Sequence, residues 1–181
     1  MKVLDLGGTT WAWDSAPVSP KRVVVVNLDA SCLERASRWQ STLVADVCDP
    51  PIELFEEGFD LVYSNSVIEH VGGFWRRNVF ADAVHKLAEH HWIQTPARYF
   101  PLEPHWLFPG FQFLPVAARA RISNRWPLTP PDLRGETVHE AVQRVLQIEL
   151  LSTAEIRHLF PDSTLHRERM AGMTKSIVAV R

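Results

Sequence analysis

The chain has 181 residues, a formal net charge of -2 and an apolar fraction of 46%, which suits one globular domain with a substantial core. Lys and Arg are scattered and form no basic run, so no nucleic-acid partner is expected. No apolar run approaches the roughly 20 residues of a membrane span, and Met1 leads directly into a strand, not a signal peptide; a cytoplasmic location is expected.

Residues 2–6 read as a short buried strand ending at Gly7 and Gly8. Residues 22–28 hold four consecutive valines, the composition of a strand covered on both faces. Residues 31–40 predict a helix, with Ser31 as its cap and Leu33 and Ala36 at helical spacing. A third strand over 42–45 ends at Asp46, and a fourth over 59–63 is entered through a turn at Gly58. Over 74–89, Phe80, Val84, Leu87 and Ala88 share one face opposite Arg76, Arg77, Asp82 and Lys86, which is an amphipathic helix. Residues 91–95 form a fifth strand, stopped by Pro96.

From Pro96 to Pro131 the chain carries eight prolines among seven aromatic side chains. This composition excludes a regular helix or a central strand, and it is too apolar for a solvated linker. It predicts an ordered loop packed on the rest. Helices follow over 137–150 and 152–160, and strands over 164–169 and 174–180 form a hairpin around Gly172. Strands alternating with helices imply an α/β fold: a seven-stranded, mostly parallel sheet with right-handed crossovers, helices on both faces and a C-terminal antiparallel hairpin. One domain is expected over 1–181, with a Pro/aromatic-rich lid or interface at about 96–135. Cys32 and Cys48 lack metal-ligand spacing and read as small buried residues in a reducing compartment.

Two runs carry a family likeness. Val3-Leu4-Asp5-Leu6-Gly7-Gly8-Thr9 resembles the first-strand signature of the class I S-adenosylmethionine-dependent methyltransferases, and Phe59-Asp60-Leu61-Val62-Tyr63-Ser64-Asn65-Ser66-Val67-Ile68-Glu69-His70-Val71 resembles their fourth-strand signature. The segment Ile93-Gln94-Thr95-Pro96, followed by Phe100-Pro101-Leu102-Glu103-Pro104-His105, is similar to a type 11-like bacterial subfamily. The resemblance implies a Rossmann-like sheet, S-adenosylmethionine as cofactor and S-adenosylhomocysteine as product. It puts Asp5, Gly7, Gly8 and Thr9 at the turn under the methionine part, where a backbone without side chains permits close approach. The ribose position falls on Asn27 instead of the usual acid, with Asp29 as a substitute. Asp46 and the backbone N–H of Val47 fall where the adenine is held, and Ser64, Asn65 and Ser66 at the mouth of the fourth strand beside the sulfonium.

The sequence departs from the family pattern in three places. A further glycine near Thr10 or Trp11 is absent, Pro17 and Pro20 shorten or remove the first crossover helix, and the sequence starts at the first strand, where the resemblance leads one to expect an upstream segment that closes over the site. Methyl transfer at an activated carbon rests mainly on positioning and desolvation, and a base matters only when the acceptor must lose a proton. His70, following the fourth strand, is the first candidate for that base; Glu69 and His70 equally suit a brace for the loop. Glu103 and His105 in the Pro-rich loop suit an acceptor wall with a few aimed polar groups, or pins that hold the loop. Arg98 and Tyr99 share that placement more weakly. No His, Asp or Glu set has a zinc-motif spacing, so no metal is expected. Lys2, Arg22 and the Arg76-Arg77 pair read as solvated surface.

The turn lacks the three glycines of a dinucleotide-binding fingerprint, which argues against a nicotinamide-dependent oxidoreductase. The expected activity is methylation of an unidentified acceptor, in the first instance a small molecule. The alternative is a catalytically inactive methyltransferase-like binding protein or subunit. The aromatic loop would serve a homodimer or another partner.

Overall fold

The computed structural model describes residues 1–129 and 133–181; Pro130 and Pro131, which end the Pro-rich stretch, lie outside them. Strands β1 (Lys2–Leu6), β2 (Arg22–Asn27), β3 (Gln40–Val44), β4 (Leu61–Asn65) and β5 (His91–Pro96) are parallel neighbours in the order β3-β2-β1-β4-β5. The two-residue strands β6 (Leu102–Glu103) and β7 (Phe108–Pro109) pair with each other away from this sheet. The hairpin β8 (Thr164–Met170) and β9 (Met173–Val180) completes seven strands, with β9 antiparallel to β5. The order reverses between β1 and β4, and open α/β sheets place their ligand crevice at such a switch point, beyond the carboxyl ends of the strands.

Among the described residues six α-helices accompany the sheet: α1 (Thr10–Asp14), α2 (Ile52–Glu56), α3 (Phe74–Leu87), α4 (Val116–Ser123), α5 (Val138–Leu146) and α6 (Thr153–Leu159). Alternate residues of a strand point to opposite faces, and here both faces are apolar. Leu4, Leu6, Val24, Val26, Val62 and Ile93 pack with Leu54, Phe80, Val84 and Ile156 of α2, α3 and α6. On the other face Val3, Val23 and Val25 meet Trp13 of α1 and Leu33. The valine run of β2 is therefore buried throughout, as its composition requires.

The helix expected over 31–40 is replaced by a single 3-10 turn, Ala30–Leu33. Its cap is Asp29, which accepts the Ser31 N–H at 2.9 Å, and not Ser31. Arg35 at φ 60° lies in the left-handed region and ends any helical path; β3 then begins at Gln40, two residues before the expected 42. The Pro-rich stretch also departs from expectation, because it contains a regular helix. Residues 116–126 hold no proline, and Pro115 stands at the N-cap of α4, where a helix has no use for its missing N–H. Trp106 and Phe111 pack there with Ala120 of α4 and Ala141 and Val145 of α5, forming a second small core.

Arg77 corrects the reading of a solvated Arg76-Arg77 pair. It is 3% exposed, and its guanidinium holds the Glu149 carboxylate and donates to the Glu149 carbonyl at 3.1 Å. This ties α3 to the chain between α5 and α6, where Glu149 N–H donates to the Glu69 carbonyl at 2.9 Å. Among the cysteines, Cys48 is buried while Cys32 is half-buried. No helix among the described residues is long and apolar enough to cross a membrane.

Candidate active site at the carboxyl edge of the sheet

The turn after β1 is built on close approaches. Gly7 has φ +83°, and a Cβ there would stand 2.6 Å from the Val67 methyls. A Cβ on Gly8 would stand 1.8 Å from the Asp5 carboxylate. Asp5 is 1% exposed; its Oδ2 accepts the Trp13 indole N–H at 2.6 Å, while Oδ1 is buried without a partner among the described residues. Burial pushes its pKa up to about 7, although the Trp13 hydrogen bond opposes the shift. Thr9 precedes α1 at its N-cap position.

Asn27, at the end of β2, is committed to this turn. Its Nδ2 donates to the carbonyls of Gly7 at 3.1 Å and Gly8 at 2.8 Å, and its Oδ1 accepts the Asp29 N–H at 3.0 Å. Asp29 accepts both the N–H and the hydroxyl of Ser31. After β3, Asp46 accepts the Cys48 N–H at 2.9 Å and takes the Arg76 guanidinium on both oxygens, at 2.9 and 2.6 Å. Burial alone would raise the Asp46 carboxyl, but the hydrogen bonds from Cys48 and Arg76 outweigh it and hold the group below its ordinary value. Val47 is buried beside it. At the end of β4, the Ser64 hydroxyl is buried and donates to the Leu6 carbonyl at 2.9 Å. Asn65 is exposed, and Ser66, at φ 55°, donates its hydroxyl to Gln94 at 2.9 Å.

Two cavities meet at Gly7. One, of about 280 Å³, is lined by Asn27, Asp46, Val47, Ser66 and His70 among others. The other, of about 560 Å³ and mostly apolar, runs past Asp5, Gly8, Thr9, Trp13, Tyr63 and Asn65. Ten of the eleven residues expected at a cofactor are thus gathered at or beside this crevice; the eleventh, Ser64, lies beneath it as a buried tie to β1.

The three residues expected to do chemistry form a connected row. His70 Nε2 is 3.0 Å from His105 Nε2, and His105 Nδ1 is 2.7 Å from Glu103 Oε1. Glu103 is 2% exposed, and its Oε2 accepts the Trp106 N–H at 2.7 Å. Loss of hydration, the nearby His105 and, in opposition, Glu103 leave the His70 pKa lowered to about 4. Glu69 does not orient His70 through a hydrogen bond. It is 1% exposed, its Oε2 accepts the Thr95 hydroxyl at 2.9 Å, and its Oε1 has no partner among the described residues. Burial raises its pKa. Arg98 is occupied by Leu150 and Glu155, and Tyr99 stacks on Phe113 at the surface. His91 is a core residue, its Nε2 2.7 Å from Ser163.

Sequence reasoning missed Arg76 and Trp13. Arg76 reaches Asp46 from the first turn of α3, 30 positions along the chain, and no local pattern marks such a pairing.

No family model matches the sequence, and no curated protein does either. Solved structures do match. The N-methyltransferase NodS from Bradyrhizobium japonicum WM9 superposes with a TM-score of 0.55 at 15% identity, over 99% of this chain and 83% of that one. A complex of DhpI with SAM and HEP gives 0.59 at 13% identity, over 99% and 77%. Magnesium protoporphyrin IX methyltransferase from Synechocystis PCC 6803, with bound SAH, gives 0.54 at 12% identity, over 99% and 73%. The chain therefore has the Rossmann-like fold of the class I S-adenosylmethionine-dependent methyltransferases, with its C-terminal antiparallel hairpin.

Proposed function

We propose that the chain is an S-adenosylmethionine-dependent methyltransferase acting on a small-molecule acceptor. The observation that carries this reading is the crevice at the switch point between β1 and β4, lined by Gly7 and Gly8 and, in its smaller part, by His70. Its two parts have the room that a small-molecule site needs. The fit is best at the turn; Asp46 at the adenine end, like Asn27 at the ribose end, already has internal partners. Gly7, Gly8 and Thr9 would lie under the methionine part, and Asp46 and Val47 would hold the adenine. Asn27 already serves the turn, and Asp29, two residues on, would be the carboxylate offered to the ribose. Asn65 and Ser66 would border the sulfonium, with Ser64 fixing the end of β4.

When bound, the cofactor supplies a methyl group on a positively charged sulfur. The protein's part is to hold the acceptor in line and exclude water, and such positioning supplies roughly 7–11 kcal/mol of a barrier in well-oriented reactions. His70 is neutral near pH 7 and stands in a row with His105 and Glu103, so it can accept a hydrogen bond from an O–H or N–H acceptor and orient it. A pKa of about 4 makes it a weak base that would pass a proton on instead of keeping it.

Calorimetric titration with S-adenosylhomocysteine tests the donor site. Asp46→Ala is expected to weaken binding by about 10-fold or more, the loss of a hydrogen bond to a charged group. Equal affinity in the two proteins would remove Asp46 from the site. A second reading, a non-catalytic relative, is favoured by one observation: Asn27 and Asp46 both have internal partners. On that reading the wild-type chain, correctly folded, gives no heat of binding.

A further inference from the structure

Folding brings His105 up to the adjacent pair Glu69 and His70, 35 positions from His70 along the chain. A carboxylate oxygen of Glu69 and imidazole nitrogens of His70 and His105 lie within 4.8 Å of one another. The geometry points to a site for a single first-row divalent transition-metal ion, bound by His70, His105 and Glu69, with its remaining positions open towards the crevice that His70 lines.

Three features of the cluster carry this assignment. First, the two Nε2 atoms stand 3.0 Å apart, and two nitrogens about 2.1 Å from one ion and at right angles are about 3.0 Å apart. Second, His105 Nδ1 is engaged by the buried Glu103 carboxylate at 2.7 Å, which is itself held by the Trp106 N–H. A carboxylate on the far nitrogen fixes the tautomer and aims the Nε2 lone pair, the usual support of a ligating histidine. Third, Glu69 is 1% exposed and its Oε1 has no hydrogen-bond partner among the described residues. An orphaned buried carboxylate oxygen is costly and calls for an explanation, and a cation beside it supplies one. His70 is exposed, so an ion has a way in.

Two imidazoles and one carboxylate suit zinc, cobalt, nickel, iron or manganese better than magnesium or calcium, which prefer oxygen. The methyl donor needs no metal. The ion would act on the acceptor side, where its open positions take an oxygen-bearing group, and that role rests on the methyltransferase reading. With the ion in place, His70 is a ligand and no longer a proton acceptor.

The test uses the full chain without an affinity tag, stripped with chelator and titrated with Co2+ in the absence of any cofactor. One ion per chain is expected, seen as a Co2+ ligand-field absorption band. His105→Ala and Glu69→Gln should each abolish the band, and Glu103→Gln, acting through His105, should weaken binding by about 10-fold or more. Equal unfolding temperatures of the metal-free wild type and His105→Ala would show that the loss is local. A titration with no band, or with a band unchanged in His105→Ala, overturns the site. Because Co2+ is titrated alone, such a failure leaves donor binding untouched, and a failure to bind S-adenosylhomocysteine leaves the metal site untouched.

Discussion

Asp5→Asn is expected to gain stability on the wild type by about 4 kcal/mol as the pH rises from about 4 to 8. In the folded chain the Asp5 pKa stands at about 7 against an ordinary 3.8, because the carboxyl is fully buried. Between those values the native state keeps the proton that the unfolded state has lost. Stability from this group is therefore complete below about pH 4, falls as the pH rises, and is gone above about pH 7. Asparagine keeps an acceptor for the Trp13 indole and carries no charge to bury. Other groups titrate in the same window. His70 and His91, both lowered to about 4, lose stability as the pH falls, while Glu69, raised by burial, acts in the same sense as Asp5. They are common to both proteins and cancel in the difference, so urea unfolding of the pair across pH isolates Asp5. A difference that does not vary with pH would mean that Asp5 carries its charge without cost.

Gly8→Ala is expected to destabilise by about 1–3 kcal/mol, the range for overpacking a filled site. The new Cβ would fall 1.8 Å from the Asp5 carboxylate, which cannot swing away because it is buried and held by Trp13. The turn beneath the crevice must then shift, and S-adenosylhomocysteine binding should fall with it. The clash is specific, so Asp5→Ala/Gly8→Ala should lose less stability than the sum of the single variants, a coupling read from a double-mutant cycle. Strict additivity would show that the two residues do not compete for space.

The parts of this molecule legible in its sequence are those written in local pattern. The valine run of β2, the glycines after β1, the amphipathic face of α3 and the terminal hairpin each declare themselves within a few residues, and together they suffice for the sheet. Long-range pairings are not written that way. Arg76 closes on Asp46 across 30 positions and His105 on His70 across 35, and only the fold brings them together. Arg77 reads as a surface charge on its helix, yet it faces Glu149 and is buried. Over 31–40 the apolar spacing suggests a helix, but the left-handed Arg35 breaks it after one turn. In the Pro-rich stretch the composition averaged over the whole segment hid the proline-free run that forms α4.

Thermal unfolding with S-adenosylhomocysteine, and with NAD as control, shows whether the crevice holds the methyl donor's product. A ligand at 100 times its dissociation constant stabilises a protein by about 2.7 kcal/mol, a shift of roughly 5–10 °C for a chain of this size. That shift is expected with S-adenosylhomocysteine, and none with NAD. No shift with S-adenosylhomocysteine, in a chain that unfolds cooperatively, would contradict the methyltransferase reading.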